Sequence, residues 1–193
     1  MVTSPEIALV CADTEIIDEY GVIDQIAPCR RPITLANFLC RSSIIHQGST
    51  FFQLDAARSV GGWDGRYFCC DAEMWMKILF RYKALRVNRI WSAWRKHDNQ
   101  RNNEAIKMWN GWQTMIQESD DIANAPLHLK LAAKAGRSVL AIDYNPIGRV
   151  RFRFYCAWRA LLTYPPSYHA INPKSALMIF RFKNLIKKLK LIN

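Results

Sequence analysis

Asp71, Arg95 and His97 are the side chains on which a reaction could turn. Asp71 opens a helical run over 71–81, with Glu73 in the first turn and Lys77 and Arg81 toward the end. A carboxylate there can act as an N-cap, accepting backbone N–H bonds that lower its basicity. Aimed outward from the helix start, it can instead take a proton from an attacking group. Both readings are open on the residues alone. His97 lies between Lys96 and Asp98, as an exposed loop histidine would; a neutral imidazole can also ligate a divalent ion, although hard cations prefer oxygen. The planar fork of Arg95 suits phosphate, or a carboxylate such as Asp64 or Glu73. Gly61-Gly62 can stop a helix and let backbone approach a ligand closely. Trp63 offers an aromatic face or fills a core, and Trp75 reads as core.

These residues need elements to hold them. Ile7 to Ala12 is a short apolar run following Pro5 and predicts a buried strand. Asp18-Glu19-Tyr20-Gly21 predicts a turn. The stretch 51–60 reads as a strand end passing into a short helix, and 85–90 alternates like a strand. Residues 99–103 are polar and predict a loop. Helical patterns follow over 104–117, with Ile106, Trp109, Met115 and Ile116 as inward residues, and over 126–140, opened by Pro126. Pro165-Pro166 breaks the chain before a last helix over about 175–191. The expected fold is α/β up to about residue 100, followed by a helical, basic C-terminal portion.

Of the 193 residues, half are hydrophobic, enough for one ordinary domain with a real core. There are 27 basic and 16 acidic residues, a net charge of +11, which favours anionic partners. No Asp or Glu follows Asp143. The six cysteines form no CxxC pair and read as reduced thiols filling core space. Met1 runs into Val2-Thr3-Ser4-Pro5 without a signal-peptide pattern, which predicts a cytosolic chain. No apolar run reaches the roughly 18 residues needed to cross a bilayer.

Three segments, in order, resemble the later half of a family 2 glycosyltransferase. The first is Ala8-Leu9-Val10-Cys11-Ala12-Asp13 followed by Ile16-Ile17-Asp18-Glu19-Tyr20-Gly21, similar to the family's strand and Asp-Glu-x-Gly turn. The second runs from Gln47-Gly48-Ser49-Thr50-Phe51-Phe52 through Gly61-Gly62-Trp63-Asp64 to Asp71-Ala72-Glu73-Met74-Trp75-Met76-Lys77. It looks like the family's glycine pair, aromatic residue and aspartate, followed by an acidic pair ending in Asp and then a helix of Leu-Trp-Leu-Arg character. The third, Trp94-Arg95-Lys96-His97-Asp98-Asn99, resembles the Tyr-Arg-x-His element after the last core strand. The resemblance covers about residues 6–103.

What it implies is a partial GT-A (Rossmann-like) three-layer fold over 1–103, the acceptor side of the enzyme, with 104–193 as a helical extension. The implied activity is inverting transfer of a sugar from a nucleotide-sugar donor to a saccharide or lipid-linked hydroxyl acceptor, as in cell-surface polysaccharide or glycolipid assembly. Asp71 then stands at the family's base position. Gly61, Gly62, Trp63, Asp64, Ser49, Thr50 and Arg95 fall on the substrate side, and His97 on the side of the metal or diphosphate. The family's divalent metal, Mn²⁺ or Mg²⁺, is expected in the full-length enzyme, but its Asp-x-Asp ligands are not among these 193 residues. Asp13-Thr14-Glu15 looks like that motif, yet lies in the strand-and-turn segment. Cys70 replaces the acidic residue that usually precedes the base. An exposed face is expected where the nucleotide-binding half would pack.

The helix over 175–191 is amphipathic, with Phe182, Leu185 and Leu189 on one side and lysines on the other, which fits the cytoplasmic face of an anionic membrane or simple packing on the domain. A nearer rival is a transferase remnant that is inactive as this isolated fragment; the rival from a different class is a non-catalytic basic module that binds a membrane surface, a partner enzyme or nucleic acid. Arg149-Val-Arg-Phe-Arg-Phe-Tyr interleaves charge with aromatics as single-stranded nucleic-acid binders do, but no nucleic-acid motif accompanies it, so nucleic acid is not an expected partner.

Overall fold

A computed structural model describes residues 4–29, 32–97, 100, 104–143 and 150–171. The amphipathic segment 175–191 and the loop 99–103 lie outside these, apart from Gln100. The protein is mixed α/β. In chain order it comprises β1 (Ile7–Ile17), β2 (Ile23–Ala27), α1 (Leu35–Leu39), β3 (Thr50–Phe52), α2 (Leu54–Ser59), α3 (Cys70–Arg81), β4 (Lys83–Arg95), α4 (Ala105–Glu118), α5 (Asp120–Ala123), α6 (Leu127–Asp143) and α7 (Val150–Thr163). Short 3₁₀ segments occupy Gln47–Ser49 and Pro165–Ala170.

β1 is the axis of the sheet. Ala8, Leu9, Cys11 and Ala12 are all buried, so both faces of the strand are covered and its sequence lacks simple alternation. β4 runs parallel to it along one edge, from Ile7 opposite Lys83 to Ile17 opposite Arg95. The other edge is shared end to end: β3 pairs antiparallel with Leu9–Cys11, and β2 antiparallel with Thr14–Ile17. The sheet is therefore mixed, with one parallel and two antiparallel pairings.

β1 extends well past Ala12 because its polar residues find partners inside. The Asp13 carboxylate accepts from the Cys29 N–H at 2.7 Å and lies 3.7 Å from Arg86. The Thr14 hydroxyl donates to Ser49 at 2.8 Å, and Ser49 and Ser92 share a hydrogen bond of 2.6 Å. Ser49 in turn donates to the Asp13 carbonyl at 2.9 Å. This hydroxyl cluster ties β1, the 3₁₀ turn and β4 together, and it satisfies groups that would otherwise be costly to bury.

The turn after β1 forms as its residues dictate. The Asp18 carboxylate accepts from the N–H groups of Tyr20 and Val22 at 2.9 and 2.8 Å, and Gly21 takes φ 89°. α2 ends at Gly61 and Gly62, with φ 86° and 66°. At α3 the structure departs from the sequence reading. Its N-cap is Cys69, with no side-chain cap bond, so Asp71 lies in the first turn rather than at the cap.

One core runs through both the α/β portion and the helices that follow. Leu9, Leu39, Met74, Trp75 and Ile78 pack in the same cluster as Trp112, Met115, Ala132 and Leu140. Ile106, expected to point inward, is exposed, and Trp112 takes the central place on α4. A smaller cluster joins α6 to α7 through Ala135, Val139, Cys156 and Ala160. Residues 150–163 are helical, so the alternating Arg and Phe of that stretch are spread around a helix and do not line one extended face.

The outer strands are uncovered. Ile23 and Ile26 of β2, Phe51 of β3, and Ile90, Trp91 and Trp94 of β4 are exposed, and the far edge of β4 pairs with no strand among the described residues. No described helix is long and apolar enough to cross a membrane.

Candidate functional site

The first turn of α3 opens onto a cleft of about 270 Å³, and Asp71 lies on its wall, half-buried. The helix start is a favourable place for carboxylates, because unpaired N–H groups and the helix dipole face them. α3 has two there, and they diverge. Glu73 is buried and paired with Lys77, facing a separate cavity with Arg66 and Arg81. Asp71 faces the cleft, beside Cys69 and Cys70. Burial and the neighbouring Asp71 charge push the Cys69 thiol up to about 11, so it stays protonated near neutrality.

The rest of the cleft comes from α1, the loop after it, and α4. Trp75 and Trp112 line it, each only 2% exposed, and their indole N–H groups have no hydrogen-bond partner. Arg41 stands over the Trp112 ring, 5.1 Å from its centroid, a cation–π arrangement. Its Nε is likewise buried without a partner. Arg41 follows the Cys40 cap of α1 with φ 66°, the left-handed conformation that normally selects glycine. It is the one described non-glycine residue with positive φ. A carboxylate and a guanidinium thus share one partly open space walled by Ile44, Phe68 and Met108, with the buried Trp75 and Trp112 beneath and Gln47 at its margin. Such a combination suits a hydroxyl-bearing ligand with an apolar face.

Neither Arg41 nor Trp112 stands out in the sequence. Arg41 matters because α1 ends where it does, and α1 is too short to read from periodicity. Trp112 sits three residues past Trp109 in a helix whose phase Ile106 obscured. His46 lies between the cleft residues Ile45 and Gln47; burial holds its pKa below the ordinary histidine value, so it is neutral near pH 7.

The other expected site residues lie elsewhere. Trp63 is half-exposed and meets Phe52 edge-on at 5.8 Å, and Phe52 in turn meets Trp75 at 5.5 Å. Asp64 is forked by Arg66, whose hydrogen bonds hold its carboxyl down at about 2. Gly61, Gly62, Trp63 and Asp64 do not line the Asp71 cleft. Ser49 is buried in the hydroxyl cluster, and the Thr50 hydroxyl donates to the His46 carbonyl at 2.8 Å. Arg95 donates to the carbonyls of Asp18 and Glu19, at 3.1 and 2.5 Å, and so braces the β1–β2 turn.

His97 lines a different cavity, about 590 Å³, with Asp18, Glu19, Asp24 and Lys96. The carboxylate of Asp18 is already committed to the turn, and Asp24 lies 4.0 Å from Lys96. Among the described residues no three His, Cys, Asp or Glu side chains converge as a metal site. Asp13-Thr14-Glu15 is bound into the sheet, its first carboxylate held by Cys29 and Arg86.

No family model, no curated protein and no solved structure matches this chain.

Proposed function

We propose that this chain carries the acceptor side of an inverting glycosyltransferase with a GT-A-type sheet, and that Asp71 is its general base. The observation that carries the reading is the half-buried Asp71 carboxylate in an open cleft beside Arg41 and the Trp112 ring. Inversion is a single displacement: the acceptor oxygen forms a bond to the anomeric carbon while the bond to the nucleoside diphosphate oxygen breaks. The acceptor proton passes to a carboxylate within hydrogen-bond reach. Asp71 takes that proton, and Arg41 supplies fixed positive charge in the cleft, whose floor is the buried Trp75 and Trp112. The uncovered β2, β3 and β4 are the surface against which a donor-binding unit would pack, since apolar sheet residues are rarely left in water.

The test is the native protein, supplied with a panel of nucleotide sugars and the lipid and glycan fractions of its host. Asp71→Asn should lower sugar transfer by at least about 100-fold, the usual scale of a lost general base, with donor affinity retained. Turnover within twofold of the unaltered protein would remove Asp71 from the chemistry. Mass spectrometry of the native N-terminus shows whether donor-binding sequence belongs to the same polypeptide.

A further inference from the structure

A second cavity lies on the opposite kind of surface, among α4, α6 and α7. It encloses about 350 Å³. Lys130, Lys134 and Arg137 reach it from one side of α6 and Arg159 from α7, the α6 residues standing at helical spacings of four and three. No acidic residue among the described ones lines it. Among the described residues none of these four cations has an ion pair. Nor does the sequence offer one from beyond α6, since no Asp or Glu follows Asp143. The acids nearest in sequence face other groups: Glu118 bonds Tyr67, Asp121 pairs with Arg81, Asp120 lines the same cavity as these, and Asp143 at the end of α6 interacts with Arg41 and Arg153.

The walls between the cations are apolar. Trp109, Phe152 and Tyr155 line the groove. The outward face of α7 continues them: Phe152, Tyr155, Trp158 and Leu162 are exposed, Tyr155 at 57% and Leu162 at 69%, and the other exposed side chains with described burial between Val150 and Thr163 are Arg151 and Arg159. Aromatic rings, a leucine and arginines without any carboxylate are the composition of a helix lying at a lipid–water boundary. A groove for nucleic acid would need stacking rings along an extended basic track, whereas here they are gathered on one helix face.

We infer that the α6–α7 face docks on an anionic phospholipid bilayer, with a headgroup phosphate held in the groove by Lys130, Lys134, Arg137 and Arg159 and the α7 rings inserted shallowly. The inference does not rest on the transferase reading, since it uses neither Asp71 nor its cleft, and its test needs no turnover. It also differs from membrane contact through 175–191.

The test is co-sedimentation of the full chain with vesicles of phosphatidylglycerol and phosphatidylcholine, against phosphatidylcholine alone. Lys130, Lys134 and Arg159 are exposed, so K130Q/K134Q/R159Q should fold normally, as thermal melting checks. Its partition onto anionic vesicles should fall on the order of 100-fold, since each basic residue near such a surface contributes about a factor of five. K183Q/K187Q/K188Q/K190Q in the full chain should retain most of the binding. Quenching of tryptophan fluorescence by brominated acyl chains should drop in Trp158→Phe. The inference is overturned if the triple variant binds anionic vesicles like the parent. It is equally overturned if the tail variant alone abolishes binding, if quenching is unchanged by Trp158→Phe, or if the groove cations prove to bind a single-stranded oligonucleotide and no vesicle.

Discussion

At the scale of single residues, Arg41 is the informative one. A non-glycine side chain in the left-handed region costs about 1–2 kcal/mol, and such strain persists where something else depends on it. Here the side chain reaches over Trp112 in the cleft that Asp71 shares. Arg41→Gly would relieve the backbone and lose a cation–π contact worth about 1–2 kcal/mol when desolvated. The two nearly cancel, so the urea midpoint should barely move while transfer activity falls at least about tenfold. A loss of more than about 2 kcal/mol would instead make Arg41 a structural residue. Cys70 belongs at this scale too: where the resemblance implies a carboxylate, a thiol borders the cleft, leaving Asp71 the only acidic residue on its wall among the described residues.

At the scale of elements, the cleft depends on how closely α6 approaches α1. A Cβ added at Gly136 would stand 1.9 Å from the Leu39 carbonyl oxygen, a backbone atom that cannot swing away. Glycine there lets α6 press on the end of α1, and that contact sets where Arg41 leaves the helix and where Leu140, one turn on, closes the cleft. Gly136→Ala should therefore cost about 2–3 kcal/mol, the scale of an overpacked core, measured by urea denaturation. A wild-type midpoint in that variant would show that the helices can part without cost. By contrast, Gly61 and Gly62 meet open space, and their positive φ alone demands glycine.

For the whole molecule, charge and core divide differently. Charge separates near residue 143, and the resemblance ends near 103, yet the core is continuous across both the strands and α4 and α6. Phe38 on α1 meets Trp112 on α4 with ring centroids 5.6 Å apart, and without α4 and α6 the face of Trp75 and Leu39 would be open to water. Residues 1–103 expressed alone should consequently show no cooperative thermal transition and should bind ANS. A sigmoidal, ANS-silent melt would establish an independent α/β unit. The basic second portion would then be supporting the cleft on one side and presenting the α6–α7 face on the other.

Much of the scaffold could be read directly from residues. The apolar run at Ile7, the Asp18–Gly21 turn, the glycine stop after α2, the α3 helix and the helices near 105 and 127 follow from local rules of periodicity, capping and turn chemistry. β2 and α1 did not, because five-residue elements carry too little pattern and are held by pairing with β1 and by packing on α6. The length of β1 and β4 was also a tertiary matter: buried Asp13 and Thr14 stay in the strand only because Cys29, Arg86, Ser49 and Ser92 reach them. The site divides the same way. Sequence alone singled out Asp71 as a carboxylate at a helix start; only the folded chain decided that Arg41 and Trp112 join it and that Arg95 and His97 do not. Chemistry of one residue is local, whereas which residues share a cavity is set by contacts between segments far apart in the chain.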